Sequence, residues 1–216
     1  MEDKEVLFKN KRKLIILVPG FFPTIGLRKW KKVFEKEGYL VETAELHKFL
    51  PIRGIKGLSK KLDEEIGQIL HKHEKEEYTL VAFSLGAVVS LYFLHESLEH
   101  TNVEKCIFIS APFHGFRYYL LSISPLFFGF YKCFRRVMPW SKFIKEFINP
   151  KKMEGLQIYT VCATGDSMCS KGASQLSFAK NLPPVKTGHA GTCFAFSEEA
   201  VKIVLNILKK KNDPNK

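Results

Sequence analysis

The chain has 216 residues, 45% of them hydrophobic and 26% charged, enough for one domain with a substantial core and unlike a disordered chain. Its formal net charge of +12 reads as a lysine-rich surface, and with no recognisable nucleic-acid motif beside it no nucleic-acid partner is expected. The five cysteines contain no C-x-x-C, and His71 and His73, two apart, would diverge on a helix, so no metal site is expected either.

The amino terminus, "MEDKEVLFKNKRK", is charged and lacks the apolar stretch of a signal peptide, so a cytoplasmic chain is expected. "KLIILVPG" then reads as a buried strand ending in a turn, and "GLRKWKKVFEKEGY" as a helix with Trp30 and Phe34 on one face. "YLVETAEL" is a second strand, and Leu58, Leu62, Ile66 and Leu70 mark a second helix. "YTLVAF", from Tyr78, is apolar without polar alternation, as a strand buried on both faces should be, and Leu85 to His95 continues as a buried helix. "VEKCIFISAPF" and "LQIYTVCATGD" supply a fourth and a fifth strand, and "NLPPVKT" a weak sixth because of its paired prolines. In the last helix Ser197 is the N-cap, Glu198 and Glu199 sit at the positive end, and Lys209 to Lys211 at the negative end. Strands alternating with helices predict an α/β fold with a mostly parallel sheet of about six strands. Its ligands should bind at the carboxyl ends of those strands.

Residues 116–154 break the rhythm. They hold eleven aromatic residues, eight Lys or Arg against two Glu, and Pro125, Pro139 and Pro150, and they are expected to form a helical cap inserted into a single domain over 1–216. The most apolar part, "YYLLSISPLFFGFY", is too short and broken to span a bilayer. Such a basic aromatic cap could line an acyl pocket, and it also suits peripheral contact with an anionic lipid surface, with Trp140 and the Phe residues in the interface and Arg135 and Arg136 at head groups.

Chemistry concentrates where strands end. Ser84 stands at the strand-to-helix corner of "VAFSLGA" with small residues two places either side, Ala82 and Gly86, the shape of a nucleophile elbow. A serine hydroxyl is a poor nucleophile at neutral pH and needs a base. "TGHAG" offers His189 just before the last helix. "TGD" ends the fifth strand at Asp166, which is the one Asp between Ser84 and His189. Taken singly, Ser84 suits a helix N-cap, Asp166 a turn and His189 a loop. Together they fall in the order nucleophile, acid, base. An oxyanion hole requires backbone N–H groups; Leu85, after the nucleophile, is one candidate, and Phe21 in "VPGFF", with Phe22 as fallback, is the other. Phe22, Phe113 and His114 are candidate pocket residues. His114 precedes Asp166 and is wrongly placed for the base. Cys162, Cys169 and Cys193 read as small buried hydrophobes.

The motifs "VPGFF", "AFSLG", "ISAPFHG", "TGDSMC" and "TGHAG" resemble those of the small α/β-hydrolase lipases and esterases, above all the minimal bacterial lipases, which carry the same Ala in place of the first elbow Gly. The resemblance spans about residues 13 to 210. It implies an α/β-hydrolase fold and a serine hydrolase of carboxylic esters, with Ser84 as nucleophile, Asp166 as acid, His189 as base, Phe21 and Leu85 as oxyanion donors, and no cofactor. Pro19 stands where those lipases usually have His, and the 116–154 insertion is absent from them. Thioester or amide cleavage would use the same parts. A non-catalytic membrane- or protein-binding protein on a hydrolase scaffold is the reading from another class.

Overall fold

The computed structural model describes residues 12–21, 25–46, 54–97, 99, 101–115 and 150–210. Most of the expected cap, 116–149, therefore lies outside the described residues, as do Phe22, Arg135, Arg136 and Trp140. Of the cap's end, Pro150–Met153 forms a 3₁₀ turn.

The strands are β1 (Leu14–Val18), β2 (Leu40–Thr43), β3 (Tyr78–Phe83), β4 (Val103–Ile109), β5 (Gln157–Val161) and β6 (Lys180–Asn181). They form one sheet in the order β2-β1-β3-β4-β5-β6, and every neighbouring pair is parallel. β6 is only two residues long, and an isolated bridge from Ala163 to Val185 resumes its line beyond Pro183 and Pro184. The prolines explain the gap, since a proline has no N–H to give to a ladder.

The helices are α1 (Ile25–Lys36), α2 (Ile55–His73), α3 (Leu85–Ser97), α4 (His189–Cys193) and α5 (Glu198–Lys209). All residues of β1 and β3 are buried, and the alternation of their side chains divides the core in two. Leu14, Ile16, Val18, Leu80 and Ala82 pack on one face with Leu58, Leu62 and Ile66 of α2 and Val88 and Val89 of α3. Ile15, Leu17, Val81 and Phe83 pack on the other with Trp30 and Phe34 of α1 and Val204, Ile207 and Leu208 of α5. Helices on both faces are what strands apolar on both faces require. α3 is buried through Leu85–Leu94, which is why its sequence shows no polar stripe. α5 has its expected cap, the Ser197 side chain accepting from the Ala200 amide. Its other end is held by a feature hidden from pattern reading: Lys105 of β4, 2% exposed, donates to the carbonyls of Ile207 and Lys210. Burial pushes that amine's pKa down, and the cation sits where the helix dipole favours one. No helix among the described residues is long and apolar enough to cross a membrane.

The sheet's carboxyl edge is set by close backbone contact. A Cβ on Gly86 would stand 2.2 Å from the Pro19 carbonyl oxygen, and one on Gly20 would stand 2.9 Å from both the Phe83 carbonyl oxygen and the Ser84 Cβ. Gly67, in the middle of α2, has nothing within 4 Å of such a Cβ. Gly86→Ala should therefore destabilise by about 1–3 kcal/mol through forced displacement. Gly67→Ala should stabilise by up to about 1 kcal/mol through helix propensity. Denaturant melts of the two variants check both signs.

Candidate active site

Ser84 joins β3 to α3 with a φ of 49°, a left-handed conformation that a non-glycine residue adopts at some cost in strain. Its amide donates to the Ile109 carbonyl of β4 at 2.8 Å, and its carbonyl accepts from Ala87 at 3.0 Å. Both bonds hold the corner sharp, so that the side chain projects from the end of the sheet. Leu85 opens α3, where an amide has no intrahelical acceptor. Phe21, on the loop after β1, lines the same crevice as Ser84.

Asp166 and His189 arrive on two loops hydrogen-bonded to each other. Val185 donates to the Cys162 carbonyl at 2.8 Å, Thr164 to Val185 at 2.8 Å, and Gly165 to Thr187 at 2.9 Å. The Asp166 carboxylate is enclosed. Oδ1 accepts from the Met168 and Cys169 amides at 2.9 and 2.7 Å, which turns Oδ2 toward His189 Nδ1 at 2.8 Å. The His189 side chain is 10% exposed and that of Asp166 0%.

The imidazole is placed from behind by residues that motif reading passed over. Thr192 Oγ1 donates to the His189 carbonyl at 3.0 Å and lies 2.7 Å from Ser110 Oγ. Trp30 Nε1 donates to the Thr192 and Cys193 carbonyls, each at 3.2 Å. A helix of five residues has little stability of its own, and these tertiary bonds fix α4. Two thiols also meet the ring. Cys193 Sγ is 3.6 Å from Nε2, and the Cys169 sulfur lies within 4.8 Å of a ring nitrogen. Both cysteines are buried, yet they are polar neighbours of the histidine as well as filler.

Burial disfavours the imidazolium and pulls the His189 pKa down, but the hydrogen bond to Asp166, helped by Cys169 and Cys193, outweighs it and holds the pKa well above 6.5. Burial likewise pushes the Cys169 thiol up to about 11.

Ser84, His189, Cys193, Phe21 and Phe194 line one crevice of about 20 Å³. That holds about one water, far less than the roughly 300 Å³ of a small-ligand pocket. The crevice that the described residues frame is thus smaller than such a pocket. Among them Ser84 Oγ has no hydrogen-bond partner, and the neighbour of Nε2 is Cys193. Phe113 is fully buried with its ring edge-on to Phe108, and the exposed His114 meets the Gln175 carbonyl through Nε2 at 2.9 Å. Neither lines the crevice, and Phe22 lies outside the described residues.

No family model matches the sequence, and no curated protein matches it. Solved structures do. The mature form of lipase BlEst2 from Bacillus licheniformis superposes with a TM-score of 0.74 at 17% identity, over 90% of this chain and 91% of that one. The chain has the α/β-hydrolase fold. Carboxylesterase CesB (YbfK) from Bacillus subtilis matches at a TM-score of 0.61 and 13% identity, over 92% of this chain and 84% of that one. The 2-hydroxy-6-oxo-6-phenylhexa-2,4-dienoate hydrolase from Rhodococcus sp. strain RHA1 matches at 0.64 and 13%, over 92% of each. One fold therefore carries differently named hydrolases, and chemistry in this chain has to be argued from its own side chains.

The pair of Asp166 and His189 can be tested apart from any activity. An NMR titration of the imidazole should place His189 above pH 6.5. Asp166→Asn should lower that value, because the neutral amide no longer favours the imidazolium.

Proposed function

We propose that the protein is a serine hydrolase of carboxylic esters with Ser84 as nucleophile, His189 as base and Asp166 as acid. The observation that carries this reading is the 2.8 Å bond from His189 Nδ1 to a buried Asp166, with the imidazole and the strained Ser84 on one crevice. Asp166 holds the proton on Nδ1, which leaves the Nε2 lone pair to take the Ser84 proton as Oγ attacks the ester carbonyl. Catalytic hydrogen bonds often tighten only with substrate bound, so the open Ser84 Oγ is compatible with this role. The tetrahedral oxyanion is met by the amides of Leu85 and Phe21. His189 returns the proton to the leaving alcohol, and water clears the acyl-enzyme by the same steps. These steps need no cofactor.

The esters are lipid-like in this reading, which the naming of BlEst2 as a lipase and CesB as a carboxylesterase supports. The basic aromatic segment 116–154 is the proposed contact with an anionic lipid surface, each cation there contributing on the order of 1 kcal/mol. Sedimentation with anionic but not neutral vesicles, weakened by salt, is the expected result.

A fluorophosphonate probe should label Ser84 covalently. Ser84→Ala and His189→Ala should each reduce kcat by about 10⁶-fold without adding, because the residues act as one unit, whereas Asp166→Asn should cost about 10⁴-fold. Only neutral His189 can accept a proton, and its pKa is raised, so kcat/KM should climb with pH through a midpoint above 6.5. A correctly folded protein that leaves the probe untouched would overturn the proposal.

A further inference from the structure

The two segments carrying the acid and the base each bring a thiol. Asp166 is followed by Cys169 at a spacing of three, and His189 by Cys193 at a spacing of four. The first spacing is that of a ligand pair in structural zinc sites, D-x₂-C standing here for C-x₂-C. Reading the cysteines against one another overlooks this, because each sulfur is paired with a residue of another type. In the fold, one ligand atom from each of Asp166, Cys169 and His189 lies within 4.8 Å of the others. All three side chains are largely shielded from water.

We propose that Asp166, Cys169 and His189 form an inhibitory site for a thiophilic divalent cation, with Zn²⁺ or Cd²⁺ as the fitting ions. A carboxylate oxygen, a thiolate and an imidazole nitrogen are ligands that zinc accepts together, and three protein ligands leave a fourth position to water. Metal–ligand bonds of about 2.0–2.3 Å put the ligand atoms of a tetrahedral site about 3.5 Å apart. The ion therefore spreads the 2.8 Å pair of Asp166 and His189 and draws Cys169 inward. Magnesium, which demands octahedral oxygen ligands, does not suit this set. Cys193, on the Nε2 side of the ring, stays outside the coordination sphere.

The proton balance explains the inhibition. Cys169 gives up its thiol proton to solvent and binds as thiolate. The imidazole nitrogen facing Asp166 is Nδ1, so the metal takes that position and the single proton of the neutral ring moves to Nε2. A protonated Nε2 has no lone pair for the Ser84 hydroxyl. The inhibitory consequence rests on the proposed role of His189 as base; the binding itself does not.

Titrating the full-length protein with Cd²⁺ should produce thiolate-to-metal ultraviolet absorption. Losing a ligand should weaken this binding at least about tenfold in Cys169→Ser and in Asp166→Asn, while Ser84→Ala and Cys193→Ser should retain it. Thermal melts establish that each variant is folded; should Cys169→Ser fail to fold, Asp166→Asn carries the comparison. In wild type, Zn²⁺ but not Mg²⁺ should block fluorophosphonate labelling of Ser84, and Cys169→Ser should need at least about tenfold more Zn²⁺ for the same block. Absorption that is unchanged in both ligand variants would place the metal on other thiols and overturn the site. Labelling indifferent to Zn²⁺ would overturn the inhibition. If the probe fails even without metal, the hydrolase reading has failed instead, and the Cd²⁺ comparison alone decides whether the site exists.

Discussion

The approach of the loop after β1 to the turn after β3 is the constraint on which the rest depends. At Gly86 the separation leaves no room for a single added carbon against Pro19. Because α3 starts that close to the sheet, the chain must reverse within one residue, and Ser84 is that residue. Its positive φ carries a cost on the order of 1 kcal/mol or more, which the surrounding parallel pairs and the bond to Ile109 sustain. The same approach brings the loop containing Phe21 to the crevice that Ser84 lines. The corner at Ser84 and the position of that loop thus follow from one steric fact.

His189 depends on a second kind of support. It opens a helix of five residues, too short to be stable by itself. Its carbonyl is held by Thr192, Thr192 by Ser110 at the end of β4, and the end of α4 by the Trp30 indole from α1. Trp30 is fully buried and packs with tilted rings at 5.3 Å from Phe34 and 5.8 Å from Phe83, the residue before Ser84. One face of the hydrophobic core therefore fixes the corner at Ser84 and the rear of His189 at once. Core packing here acts on geometry as well as on stability.

The electrostatics of the pair have the same origin. Two amides aimed at Oδ1 let the carboxylate be enclosed, and the enclosed carboxylate in turn holds the imidazolium against burial. Protein groups have replaced the water around these charges, and thiols have filled what space remains. A sulfur packs like a small hydrophobe but can also accept a proton or a metal. Cys169 and Cys193 are buried as expected, and their contact with His189 gives them a chemistry that burial alone does not describe.

Strand order, the order of the longer helices, both buried faces of β3 and the Ser197 cap were legible in the sequence, because each leaves a local mark, an apolar run or a capping residue; the five-residue α4 at His189, where a loop was expected, leaves none. β6 was faint because its prolines interrupt the ladder that defines a strand. Lys105 could not be read as a helix anchor, nor Trp30 and Ser110 as supports of the helix that begins at His189, because each acts on a partner from 82 to 163 residues away. The sequence by itself determined the main elements and the α/β class, since periodicity and turn chemistry operate over a few residues. The tertiary structure alone decided that Asp166 meets Nδ1, that Gly20 and Gly86 have no room for a side chain and that two thiols border the imidazole. Those distances arise only when strands far apart in the chain lie side by side.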